Sequence, residues 1–247
     1  MKILRFILSL FCFAIYPISA FANYEYLKNY YVFGDIGSTI SNIELSSNQG
    51  YQPKNKSGKK LGTSPLYSLG FGHVFPKIRV DITISRIDSM KYHASYNFIK
   101  NNVTSSFHNR QTIKTTTTIL SAYYDFMKDH KISPYIGLGL GLANVDAGNF
   151  SMATIASGGR RVVYKCGGNV SGANRMGYNL TLGANYKLTQ SLSLNVNYKF
   201  YDLGKIRMSD RAELFTNDTK EKDILEKARK SLKLNVHAVS LGLRYDF

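Results

Sequence analysis

Apolar and polar residues alternate with a period of two over much of the chain, the signature of strands with two unlike faces. At the carboxyl end Val239, Leu241, Leu243, Tyr245 and Phe247 share one face, and Ser240, Gly242, Arg244 and Asp246 share the other. Leu192, Leu194, Val196, Tyr198 and Phe200 alternate with Ser193, Asn195, Asn197, Lys199 and Tyr201, and Leu180, Leu182, Ala184, Tyr186 and Leu188 with Thr181, Gly183, Asn185 and Lys187. The same phase runs through Ile136 to Leu142 against Gly137, Gly139 and Gly141, through Leu120 to Phe126, and through Ile78 to Ile84 against Arg79, Asp81, Thr83 and Ser85. Tyr67, Leu69, Phe71 and Phe75 follow less cleanly, and the segment near Tyr31 to Ile40 is the faintest. The pattern predicts eight strands, at 31–41, 66–75, 77–87, 113–126, 133–145, 176–188, 191–203 and 234–247. Each has about the 9 to 11 residues that a tilted strand needs to cross a bilayer, or slightly more.

The connections are unequal. Strands two and three, four and five, and six and seven are joined by short turns, whereas 42–65, 88–112, 146–175 and 204–233 are long, polar and cationic. Short turns at one end and long loops at the other describe an all-β, eight-stranded antiparallel up-and-down transmembrane β-barrel with long extracellular loops. Alternation by itself leaves a soluble lipocalin-like barrel as the rival, with its apolar face inward. The width of an eight-stranded barrel favours the membrane form, because the lumen holds only side chains and the Gly, Ser, Thr and Asn face can fill it. Phe75, Tyr124, Phe126, Tyr186, Tyr245 and Phe247 fall at the short-turn end, where an interfacial aromatic girdle is expected.

The first 22 residues break the pattern. Lys2 and Arg5, the apolar stretch Ile7 to Ile15 and Ala20-Phe21-Ala22 read as a signal peptide, leaving 23–247 as the barrel domain. Cys12 falls in the removed segment, so the barrel keeps a lone Cys166, whose role the sequence does not assign. The 247 residues hold 32 Lys and Arg against 16 Asp and Glu, a net charge of +16, yet only 19% are charged and 44% are hydrophobic. That balance excludes a disordered polyelectrolyte. Within 204–233, Ile224, Leu225, Ala228 and Leu232 recur at helical spacing and predict a short amphipathic helix on the rim.

Over essentially all of 23–247 the chain resembles the OmpA-like and opacity-type surface-antigen family of Gram-negative outer-membrane barrels. The resemblance rests on Tyr31-Val32-Phe33-Gly34, on Pro134-Tyr135-Ile136-Gly137-Leu138-Gly139-Leu140-Gly141 and on Leu241-Gly242-Leu243-Arg244-Tyr245-Asp246-Phe247. It implies an outer-membrane protein with loops at the cell surface, embedded in outer-membrane lipid and lipopolysaccharide. In the family's terms Leu241, Leu243, Tyr245 and Phe247 are the signal that the barrel-assembly machinery recognises.

The lumen face carries Asp35, Arg79, Asp81, Asp125, Lys187, Lys199, Arg244 and Asp246. Opposed charges in a narrow interior are expected to pair, since an isolated buried ion costs several kcal/mol. Arg244 with Asp35 and Arg79 with Asp81 are the expected partners, forming either a structural plug or a gate. Three of the long loops each carry an excess of three positive charges, with Lys54, Lys56, Lys59, Lys60, Arg160 and Arg161 as candidate contacts to lipopolysaccharide phosphates or acidic host glycans and receptors. Merely solvated loops are the alternative.

His237 and Ser240 are three apart on one strand and so face opposite ways, which removes the same-face pair that a lipid-modifying enzyme would use. The alternating glycines at 137, 139 and 141 lie within one strand rather than between a strand and a helix, so they do not form a phosphate-binding turn. No enzyme, cofactor or metal site is expected, and nucleic acid is not an expected partner of an exported barrel. The sequence therefore points to surface display and adhesion, with a small porin as the alternative.

Overall fold

Val, Ile, Thr, Tyr and Phe at alternate positions suit a pleated surface packed on one face, and the alternating segments all form strands. The computed structural model describes residues 24–46, 60–100, 103–128, 130–147, 150–155, 161–166, 170–207, 211–216, 219–225 and 231–247. Eight antiparallel staves make the wall: β1 Tyr30–Ser46, β2 Ser64–Val74, β3 Ile78–Lys100, β4 Val103–Asp125, β5 Ile132–Ala147, β6 Val170–Lys187, β7 Leu192–Arg207 and β8 Ser231–Asp246. Each pairs with the next in sequence. The sheet closes where β8 returns to β1, from Tyr31 opposite Asp246 up to Ser46 opposite Ser231. Closure leaves no wall edge to pair with another chain.

The two faces are inverted relative to a soluble protein. Leu69, Leu138 and Val239 point outward at 67%, 65% and 59% exposure, while Asp35 and Arg79 point inward at 2% each. Only a hydrocarbon solvent makes that arrangement favourable, so the lipocalin alternative is excluded. The outward aromatics of the short-turn end form the expected girdle, with Tyr124 and Phe126 edge to face at 5.2 Å and Tyr245 and Phe247 likewise.

The staves outrun their expected lengths. β3 and β4 are 23 residues each, so most of 88–112 is a continuing hairpin rather than a loop. Tyr92, Ala94, Tyr96 and Phe98 alternate with His93, Ser95 and Asn97 in the sequence, so the period of two runs on past the expected end of the third strand. Further strands build sideways from its upper part: Phe150–Ile155 pairs with β4, Arg161–Cys166 with that strand, Arg211–Thr216 next, and Thr219–Leu225 last. Lys60–Leu61 pairs with β3 on the other side.

The expected rim helix is corrected by this crown. Ile224 and Leu225 belong to the strand Thr219–Leu225, Leu232 lies on β8, and Ala228 falls outside the described residues. A helix this short is marginal in water, whereas a neighbouring strand offers paired backbone groups. Among the described residues the wall has three register shifts, one of them between Val145 and Ala147, and the other two coincide with positive φ. Of these two, one lies between Ile87 and Met90, with Ser89 at φ 54°, and the other between Asp202 and Lys205, with Gly204 at φ 75° and its N–H donated to Asp202 Oδ1 at 2.9 Å.

Candidate functional site

The inward-facing residues of the eight staves fill the lumen in two layers. In the layer nearer the short turns, Arg79 on β3 donates its Nε–H to Asp125 on β4 at 3.0 Å. Its guanidinium lies 4.2 Å from the ring centre of Tyr135 and 4.5 Å from that of Tyr123, so aromatic faces cover the charge. Asp81 does not pair with Arg79. It accepts hydrogen bonds from the Tyr31 hydroxyl at 2.9 Å and the Thr83 hydroxyl at 3.0 Å.

The second ion pair also differs from expectation. Asp35 on β1 is bound by Lys199 on β7 at 3.1 Å, not by Arg244. Gly242 on β8 stands directly opposite Asp35, and a Cβ there would strike the Asp35 carboxylate. Asn195 stands across Gly242 from Asp35, whereas Lys199 stands opposite Ala238 and reaches Asp35 from nearer the loops. Arg244 lies opposite Phe33, stacks on the Tyr31 ring at 4.0 Å and donates to Asp246 two residues along its own strand. Asn195 and Asn197 continue the network, with the Tyr135 and Ser240 hydroxyls donating to them at 2.7 Å.

Glycines make room for the rings. Tyr31, Phe33, Tyr123 and Tyr135 are cross-strand partners of Gly72, Gly70, Gly137 and Gly183, and a Cβ at any of these glycines would fall on the facing ring. Of the alternating glycines 137, 139 and 141, only Gly137 seats a ring; a Cβ at Gly139 would meet Asn179, Ser121 and Ile119, and one at Gly141 the backbone of β4.

The layer toward the long loops is mainly apolar, with Thr39, Ser41, Ser64 and Thr115 buried at the same level. Leu66, Ile87, Met90, Ile113, Val145, Tyr201, Leu203, Leu234 and Val236 form one buried cluster inside the barrel. Along the arc from β4 to β6, Thr117, Ser121, Asn179, Thr181 and Asn185 each present a buried polar atom without a protein partner.

Lys187 is corrected as a lumen residue. It is exposed at the short-turn end, and its Nζ–H donates to the Lys128 carbonyl at 2.6 Å. There Lys131 lies 5.1 Å from the Tyr186 ring, and the hydrogen bond to the Tyr186 hydroxyl raises its pKa, keeping the ammonium charged.

Leu241, Leu243, Tyr245 and Phe247 line the outer face of β8, with the Phe247 N–H donated to the Tyr30 carbonyl at 3.0 Å. Lys54, Lys56, Lys59 and Arg160 lie outside the described residues, while Lys60 and Arg161 begin short crown strands. His237 faces outward and its Nδ1 is 2.6 Å from the Tyr198 hydroxyl, whereas Ser240 is buried in the lumen.

Comparison with known proteins agrees with this architecture. The outer membrane protein PagN of Salmonella typhimurium is 28% identical over 101 residues, covering 40% of this chain and 39% of that protein. The chain therefore spans well under half the length of that relative. Neisserial surface protein A covers 89% of this chain and 98% of its own, with 14% identity and a TM-score of 0.50, which is a likeness of fold. The outer membrane protein OprG of Pseudomonas aeruginosa covers 89% and 96%, with 14% identity and a TM-score of 0.48. The family model for the outer membrane protein beta-barrel domain matches residues 8–247, and the chain belongs to that family as a small β-barrel of the bacterial outer membrane.

Proposed function

We propose that this protein is a non-enzymatic surface barrel that works by display: its wall anchors it, its lumen is a structural plug, and its crown makes the contacts. In this reading residues 1–22 are the export signal, residues 23–247 are the displayed domain, and β8 carries the assembly signal at Leu241, Leu243, Tyr245 and Phe247. The observation that carries the reading is the stacking of an ion-paired layer beneath an apolar layer inside the barrel. Two unlike seals in series leave the outer surfaces as the working part.

The partners that fit are polyanions, lipopolysaccharide phosphates or acidic glycans, met by Lys54, Lys56, Lys59, Lys60, Arg160 and Arg161. Cations distributed over a rim bind such ligands with a steep salt dependence, because the Debye length shrinks from about 10 Å at 0.1 M to about 3 Å at 1 M. Heparin and lipopolysaccharide binding to the refolded barrel should fall sharply when those six are neutralised. Equal affinity and equal salt slope in the substituted protein would remove the adhesive reading.

A second reading, a small porin, draws on the unpartnered polar atoms of Thr117, Ser121, Asn179, Thr181 and Asn185, which line one arc of the lumen. Steady single-channel conductance from the wild type would favour it.

A further inference from the structure

The short-turn end carries a second concentration of charge, unrelated to the loops. Lys28, Lys77, Lys128, His130, Lys131 and Lys187 are all exposed there. The acids of this end are largely engaged: Asp125 holds Arg79 and Asp246 holds Arg244. Glu25 and Asp129 also belong to these segments, with side chains outside the described set.

Two of the lysines, Lys128 and Lys187, tie the turns together. Lys128 in the turn between β4 and β5 donates to the Phe75 carbonyl of the turn between β2 and β3 at 3.2 Å. Lys187, before the turn between β6 and β7, donates to the Lys128 carbonyl, and its backbone N–H donates to the Lys131 carbonyl at 2.9 Å. Three separate turns are thereby gathered into one arc. Each ammonium keeps donors to spare, since Nζ carries three.

The same segments hold the girdle. Phe75, Phe126 and Tyr186 point outward at 49%, 59% and 37% exposure, one to five residues from the lysines. Aromatics at headgroup depth with cations just beyond them match an amphiphile that offers acyl chains to the rings and a phosphate to the ammonium groups. The ammonium groups stand beside outward-facing rings at the edge of the apolar wall, which favours a lipid headgroup over a soluble anion.

We propose that Lys77, Lys128, Lys131 and Lys187 form a binding surface for the phosphodiester headgroups of anionic phospholipids in the periplasmic leaflet. This surface lies at the opposite end of the barrel from the crown and does not depend on adhesion. It would retain anionic lipid beside the three turns and fix the depth of the barrel in the membrane.

The test uses the full-length barrel refolded into phosphatidylcholine vesicles, with spin-labelled phosphatidylglycerol compared against spin-labelled phosphatidylcholine. The wild type should retain phosphatidylglycerol several-fold more strongly, and high salt should erase the difference. Lys77→Gln with Lys131→Gln should reduce the preference; adding Lys128→Gln and Lys187→Gln should abolish it. The double variant removes no ammonium-to-carbonyl bond and so guards against a folding failure. Arg86→Gln with Lys114→Gln, on the outer wall toward the loops, should leave the preference intact.

The proposal is overturned if the wild type shows no preference, if the quadruple variant keeps it, or if the Arg86 and Lys114 changes erase it. Lysine-dependent binding of soluble peptidoglycan fragments without any lipid preference would assign the rim to a cell-wall partner and overturn it as well.

Discussion

Arg79 is enclosed by an acid and aromatic faces, which makes its removal costlier than its exchange. Arg79→Met should destabilise the barrel by about 3–5 kcal/mol, because Asp125 is left charged and buried without its partner. Arg79→Met together with Asp125→Leu should recover much of that loss. Urea unfolding of the refolded protein in lipid vesicles measures both. Arg244→Ala should cost less than Arg79→Met, since the Arg244 and Asp246 side chains are 10% and 31% exposed, against 3% and 7% for Arg79 and Asp125. The glycine seats obey a steric rule. A Cβ at Gly137 meets the Tyr123 ring, whereas one at Gly62 meets nothing within 4 Å. Gly137→Val should therefore lower the yield of folded barrel while Gly62→Ala leaves it unchanged, as read from heat-modifiable migration on gels.

The staves behave as elements with two solvents. Leu138 stands in the middle of the outward face of β5 with apolar neighbours Ile136, Leu140 and Leu142. Leu138→Arg should cost about 2–4 kcal/mol if it sits at the bilayer midplane, and the same exchange at the rim far less. Closure rests on β8, which holds β7 on one side and β1 on the other. Phe247→Asp places a charge at the girdle beside Tyr245 and should abolish outer-membrane insertion; protease-resistant barrel at wild-type levels would refute the role given to that strand end. The bulge in β3 offers a subtler check. Ser89 adopts φ 54°, where glycine has no steric penalty, so Ser89→Gly should hold or slightly raise stability while Ser89→Val lowers it.

At the scale of the whole molecule, the two lumen layers act in series. Breaking only the charged layer should leave conductance low, because Leu66, Ile87, Met90, Leu203 and Leu234 still close the upper barrel. Conductance should rise when both layers are opened, with Lys199→Ser and Leu203→Ser combined, relative to either change alone in planar-bilayer recordings. Large single-substitution effects would mean that one layer suffices as the seal. Among the described residues, the crown strands are added beside β3 and β4. Polyanion binding should therefore be sensitive to Arg161, which begins one of those strands.

Read alone, the sequence determined the existence, phase and order of the eight staves, because a lipid-facing wall imposes period-two alternation that any folding of the chain must respect. It likewise determined the aromatic girdle and the inward face of Asp35, Arg79, Asp81, Asp125, Lys199 and Arg244. Only the tertiary structure decided which charge meets which. The Asp35–Lys199 pair joins β1 to β7 past the intervening β8, and cross-strand register is a property of closure that no local pattern encodes. The crown strands are not legible in the sequence, since they are short and pair segments far apart along the chain. The exposed position of Lys187 is likewise a tertiary property. Its place on the lumen face by parity yields to its height, because where the stave ends a flexible ammonium turns toward water and a free carbonyl instead of entering the barrel.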